Sequence, residues 1–175
     1  MSIVDKALKA SESYEKEFTF GKLTVPPTRQ LAVVACMDAR LDIYQILKLN
    51  VGDAHVIRNA GGIVTVDVMR SLFISQYLMD TKHVMIINHT DCGMENFTDE
   101  ELHERLRRET GKDAVAPDRF YAFNDLERNV LEQILKVKSH PWTPKGVTVR
   151  GFIYDVKTGH LHEVEATERK MAQKK

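Results

Sequence analysis

The segment LAVVACMDAR, Leu31 to Arg40, decides how the chain folds. Its first six residues, Leu31 to Cys36, are apolar without interruption, which is the composition of a strand buried on both faces and not the alternation of a half-exposed one. Such a strand needs cover on both sides, and helices supply it. The apolar run then stops at a cysteine and gives way to Asp38 and Arg40. The chain therefore leaves its core carrying a thiol, a carboxylate and a guanidinium in quick succession.

Outward from this strand the pattern repeats. The stretch DIYQILKL, residues 42 to 49, reads as a short helix, AHVIR as a second strand, and Gly61-Gly62 break the run that follows. Thr65 is placed to cap the next helix, where apolar residues from Val66 to Met79 occupy nearly the whole helical wheel and predict burial in the domain or at an interface. HVMII, from His83 to Ile87, is the third strand. Thr98 with Glu101 forms a capping box for a charged helix ending near Gly111, and Asn124 with Glu127 repeats that signature for a helix reaching about Lys138. Two β-rich runs in VTVRGFIYDVKTGHLHEVEA, separated by a turn around Lys157 to Gly159, predict a hairpin or a bent edge.

Strands alternating with helices define an α/β fold with a mostly parallel central β-sheet flanked by helices. Upstream, residues 2 to 20 place Ile3, Val4, Ala7, Leu8, Tyr14 and Phe18 among charges, a loose helical periodicity suited to an arm lying on another surface, such as a second subunit. The Pro26-Pro27 pair ends that segment. The organisation expected is an N-terminal helical arm over residues 1–27, a single α/β domain over 28–165 and a frayed tail over 166–175.

The 175 residues suffice for one domain with its own core, so a metal found here serves chemistry sooner than folding. Lysine plus arginine number 25 and aspartate plus glutamate number 25, which leaves no electrostatic footprint for nucleic acid or an anionic membrane and favours a small substrate. MSIVDKALKASESYEKEF lacks the apolar run of a signal peptide, and no stretch reaches the roughly 20 apolar residues that span a bilayer. A cytoplasmic location is expected, where two cysteines distant in sequence are thiols or metal ligands.

Parallel sheets place their sites beyond the carboxyl ends of the strands. Cys36 closes the first strand and His89 lies two residues past the expected third, so both fall at that edge. Cys36, His89 and Cys92 carry the donors zinc prefers, and three protein ligands with a fourth position for water is the usual arrangement of a catalytic Zn²⁺ site. Two thiolates cancel the ion's charge, so an acceptor beside its water helps. In an extended chain residues two apart point the same way. Asp38 would then accept the hydroxyl proton, and Arg40 would hold that carboxylate through two parallel hydrogen bonds and keep it from swinging onto the metal.

CMDAR followed by HTDCGM, with VIRNAGG between them and VRGFIYDVKTGHLHEV after, resembles the β-carbonic anhydrase family, especially its short branch, over roughly residues 28 to 165. The resemblance implies metal roles for Cys36, His89 and Cys92, service of the metal-bound hydroxide by Asp38 and Arg40, reversible hydration of carbon dioxide to bicarbonate, and homodimers or homotetramers. Ala39 departs from the serine of many members and removes one hydroxyl. Carbonyl sulfide and carbon disulfide hydrolases resemble the same branch and share the zinc pattern, so they stand as the alternative activity.

Plainer readings compete at each position. Free cysteine is commonly buried in cores, Asp38 and Arg40 could form a surface ion pair, and a non-enzymatic zinc protein would need a fourth ligand. No G-x-G-x-x-G or G-x-x-x-x-G-K motif accompanies Gly61-Gly62, which speaks against a nucleotide-binding module. His55, His83, His103, His140, His160 and His162 are nominal proton relays whose expected role is structural. Phe97 is a pocket candidate with core packing as its simpler role, and Asp91, Glu95 and the charges of residues 99 to 109 read as a solvated face.

Overall fold

A computed structural model describes residues 1–165. The expected tail, 166–175, lies outside the described residues. Five strands form one sheet: β1 (Leu31–Cys36), β2 (Ala54–Asn59), β3 (His83–His89), β4 (Thr148–Tyr154) and β5 (Leu161–Val164), in the spatial order β2-β1-β3-β4-β5. The first four run parallel, and β5 turns back antiparallel on β4 as the C-terminal hairpin. Because the chain steps from β1 to β2 on one side and then crosses to β3 on the other, the crevice where strand order reverses opens between the carboxyl ends of β1 and β3.

Ala32, Val33, Val34 and Ala35 are fully buried, as an uninterrupted apolar strand demands. One face of the sheet packs against α3 (Val66–Leu78) and α5 (Leu126–Lys138) through Val34, Val68, Leu72, Ile86, Val130 and Ile134. At Gly151 of β4 a Cβ would sit 2.4 Å from Val130 Cγ1 and 2.6 Å from Ile134 Cδ1, so only glycine lets α5 lie this close. The other face differs from the expectation of helical cover. It is closed by Leu41, Ile43 and Leu49 around a single short helix, α2 (Ile43–Ile46), and by Met94, Phe97 and Phe123 from connecting segments. The eight-residue helical reading of 42 to 49 shrinks to α2 because Lys48 takes a positive φ of 49° and breaks the run.

Thr65 caps α3 by accepting from the Val68 amide, and Thr98 and Glu101 form the capping box of α4 (Asp99–Thr110), which ends on the left-handed Gly111. For α5 the cap is Asp125, one residue beyond Asn124, with its carboxylate accepting from the Arg128 amide at 2.9 Å. Either residue type serves as a cap, and sequence spacing did not separate them. Residues 3 to 17 form α1 (Ile3–Glu17), and none of its residues is buried. α3 buries Val68 and Leu72 while Val66, Tyr77 and Leu78 stay exposed, so its all-round apolar wheel is half used within the chain.

Candidate metal centre

β3 runs on through His89 instead of ending at Ile87, so His89 is itself the last residue of its strand and pairs with Tyr154. Cys36 closes β1, paired with Asn59. The two candidate ligands thus stand at the ends of adjacent parallel strands, and Cys92 returns from the turn after β3. The two sulfurs and a ring nitrogen of His89 all lie within 4.8 Å of one another, in side chains that are nearly or wholly buried. Bonds of 2.0–2.3 Å to a tetrahedral zinc place ligand atoms about 3.5–4 Å apart, so the cluster needs little adjustment to hold that ion.

Two further observations favour an ion. His89 Nδ1 stands 2.9 Å from the Thr90 carbonyl oxygen, which assigns the proton to Nδ1 and leaves the lone pair on Nε2. That Nε2 is buried and has no hydrogen-bond partner among the described residues. A buried nitrogen lone pair without a partner is costly, and a cation between the two sulfurs would satisfy it. The Cys36 and Cys92 side chains also interact directly, and a hydrogen bond between them favours one thiolate in the pair against the cost of burial. For His89 burial disfavours the charged ring, yet the Cys36 sulfur outweighs it and raises its pKa.

Asp38 and Arg40 meet as expected but by a different backbone path. The chain turns at this point, with the Leu41 amide donating to the Asp38 carbonyl at 3.0 Å, so the two side chains are joined by a turn and not by strand alternation. Arg40 Nε donates to Asp38 Oδ1 at 3.0 Å and Nη2 to Oδ2 at 2.7 Å, the parallel fork of a guanidinium on a carboxylate. The Arg40 amide adds a third bond at 2.9 Å. These hydrogen bonds, Arg40's side chain foremost, hold the Asp38 carboxyl well below the usual range. Asp38 Oδ2 lies 3.7 Å from His89 Nε2, close to the cluster.

Sequence reasoning missed several participants. Asp91, read as part of a solvated face, binds Arg40 through both its carboxylate and its carbonyl. Arg58 donates to the carbonyls of Cys36 and Asp38 at 3.0 and 2.6 Å and so fixes the backbone on both sides of Met37. Its signal was an arginine near the carboxyl end of a strand, in VIRNAGG. Gly62 takes a φ of 62°, and a Cβ there would lie 2.9 Å from the Cys36 amide nitrogen and 2.8 Å from Asn88 Nδ2. Asn88 in turn belongs to a buried amide chain: its Nδ2 donates to the Gly61 carbonyl, its Oδ1 accepts from Asn129 Nδ2, Asn129 Oδ1 accepts from Gln133 Nε2, and Gln133 Oε1 accepts from the Val64 amide.

Three of the nominal relay histidines occupy other contacts, His55 with Ser75, His103 with the Asp99 and Pro117 carbonyls and His140 with the Trp142 amide, and His160 stacks on His162. Phe97 packs partly buried against the cluster that contains Cys36 and Cys92.

A mostly parallel sheet with a buried Cys-His-Cys group at its switch point defines an α/β protein with a group positioned to hold a metal ion. The chain belongs to the β-carbonic anhydrase family: the carbonic anhydrase family model matches residues 31–161, and a relative, β-carbonic anhydrase 1 of Mycobacterium tuberculosis, is 42% identical over 165 residues, 94% of this chain and 99% of that one. The crystal structure of a carbonic anhydrase from Streptococcus mutans superposes with a TM-score of 0.89 at 41% identity, covering 94% of this chain and 99% of that one. A carbon disulfide hydrolase of Saccharolobus solfataricus is 34% identical over 184 residues, 91% of this chain and 88% of that protein. Members of the family are zinc enzymes, and the Cys36, His89 and Cys92 group is positioned for that ion.

Proposed function

We propose that this protein is a zinc carbonic anhydrase that hydrates carbon dioxide reversibly to bicarbonate and a proton, with Cys36, His89 and Cys92 holding the ion and Asp38 and Arg40 serving the attacking water. The observation that carries this reading is the partnerless Nε2 of His89 beside two cysteine sulfurs, with a carboxylate oxygen 3.7 Å away. When bound, zinc supplies the Lewis acidity that lowers the pKa of water from 15.7 towards about 7, somewhat less far where two ligands are thiolates.

The chain's own residues do the rest. Asp38, kept ionised by Arg40, is a hydrogen-bond acceptor throughout the neutral range, so it holds the proton of the attacking oxygen and turns a lone pair towards the substrate carbon. Arg40 grips both carboxylate oxygens and keeps Asp38 from becoming a fourth ligand. Met94, Phe97 and Phe123 pack with the two cysteines and give the site an apolar flank suited to a small uncharged molecule.

Carbon disulfide and carbonyl sulfide share that character, and the 34% identical hydrolase keeps their hydrolysis as the second reading. The higher identity to a carbonic anhydrase favours carbon dioxide. Purified zinc protein assayed side by side for carbon dioxide hydration, by stopped-flow pH change, and for sulfide release from carbonyl sulfide and carbon disulfide decides between them. Fast hydration with little sulfide is expected, and the reverse would assign the protein to the sulfur substrates.

The working form is a cytoplasmic homodimer or homotetramer in which residues 1–27 act as an arm and 28–165 as the catalytic domain. Supporting this, α1 leaves Ile3, Val4, Leu8 and Tyr14 exposed, which an isolated chain has no reason to do. No helix among the described residues is long and apolar enough to cross a membrane. Light scattering of the whole chain and of a chain lacking residues 1–27 tests the assembly: the shortened chain should be smaller than half the mass or poorly soluble.

A further inference from the structure

We propose that Asp91 is a positioning residue: it anchors the Arg40 guanidinium to the turn between His89 and Cys92 and thereby keeps the Asp38 carboxylate turned away from the metal position. The inference rests on the zinc reading above and extends it to a residue outside the ligand set and the Asp38 and Arg40 pair.

Arg40 divides its nitrogens between two carboxylates. Nε and Nη2 face Asp38, while Nη1 donates to Asp91 Oδ2 at 2.8 Å and Nη2 also to the Asp91 carbonyl at 2.9 Å. Asp91 presents both acceptors on one side because its backbone is left-handed, with a φ of 56°, a conformation aspartate tolerates better than most residues. The long Arg40 side chain is 45% exposed and has freedom to lose. With Asp38 as its sole partner the guanidinium would travel wherever that carboxylate went. Asp91 ties it instead to the segment that carries two of the three ligands, so the fork on Asp38 is fixed relative to the metal position and resists an inward swing.

The test uses protein in which cobalt(II) replaces zinc, titrated with azide and read by its visible absorption, since an added anion needs the position that a swung Asp38 would fill. Asp91→Gly keeps the left-handed backbone and the carbonyl but removes the carboxylate. Azide binding should weaken about two- to fivefold, the scale an exposed ion pair supplies. The sign is diagnostic, because deleting a nearby negative charge would by itself tighten anion binding. Asp91→Asn, which loses the charge and keeps an acceptor for Nη1, should bind azide at least as well as the parent. In an Arg40→Ala background Asp91→Gly should weaken it no further. Unchanged or tighter azide binding by Asp91→Gly, or a full weakening without Arg40, would overturn the role of Asp91. A parent protein that takes up cobalt but shows no azide response would place Asp38 on the metal already and overturn the role, whereas a parent that takes up no cobalt would remove the zinc reading on which the role depends.

Discussion

His89 Nε2 and Asp38 Oδ2 stand 3.7 Å apart, too far for a hydrogen bond, with the nitrogen buried and the oxygen held on Arg40. Under the proposed function, these two atoms would flank the metal position. Loss of any of the three candidate ligands should therefore empty the site, while the separate core cluster built on α3 and α5 keeps the sheet folded. Cys36→Ser and His89→Ala are expected to fall from about one zinc per chain to little or none by atomic emission while keeping the parent's circular dichroism, and to lose nearly all activity.

Arg40→Ala should remove most of the hydration rate, because Asp38 then both loses its orientation and gains reason to bind the metal. Arg40→Lys should recover only part, since an ammonium offers no parallel fork. Crystals of Arg40→Ala that still carry a water on zinc, with Asp38 turned away, would argue against the gating role.

The same pair sets a pH dependence of stability. Arg40 depresses the pKa of both Asp38 and Asp91, so each contributes stability that is present above the ordinary aspartate value of about 3.9 and is lost as pH falls through its lower folded value. The urea midpoint of Arg40→Ala should trail the parent at pH 7, and the gap should close as pH falls below about 4. A gap that stays constant would mean that the ion pairs do not cause it.

How much of this was legible in the sequence follows from how local each signal is. The strand at Leu31–Cys36, the Thr65 and Thr98 caps and the C-terminal hairpin rest on contiguous patterns, and each stands where the pattern put it. The candidate ligands were legible because thiol, imidazole and carboxylate are chemically distinctive at strand ends. Asp91 and Arg58 were not, because what makes each matter is a contact with residues far along the chain, and a charged residue in a loop looks solvated until its partner is placed. The buried amides of Asn88, Asn129 and Gln133 were hidden for the same reason. The apolar wheel of α3 promised more burial than one chain provides, and its exposed half is the part that sequence left between domain and interface.

Gly62 illustrates such hidden packing. Its left-handed φ and the 2.9 Å approach of a Cβ to the Cys36 nitrogen predict that Gly62→Ala costs about 1–3 kcal/mol by urea denaturation. Because the clash is with a ligand's own backbone, zinc affinity in a chelator competition should fall as well.

Asn129→Ala breaks the amide chain behind the site, leaving Asn88 Oδ1 buried without the donor it has now. A loss of about 1–3 kcal/mol in unfolding free energy is expected. Removing the same group from a solvated position would change little.

The most direct test of the central claim is stopped-flow hydration of carbon dioxide by the zinc-loaded protein, by the same protein stripped with a chelator, and after zinc is restored, with Asp38→Asn alongside. Fast hydration that vanishes on stripping, returns with zinc and is severely impaired in Asp38→Asn is the predicted result. Zinc-loaded protein that hydrates carbon dioxide no faster than buffer would contradict it.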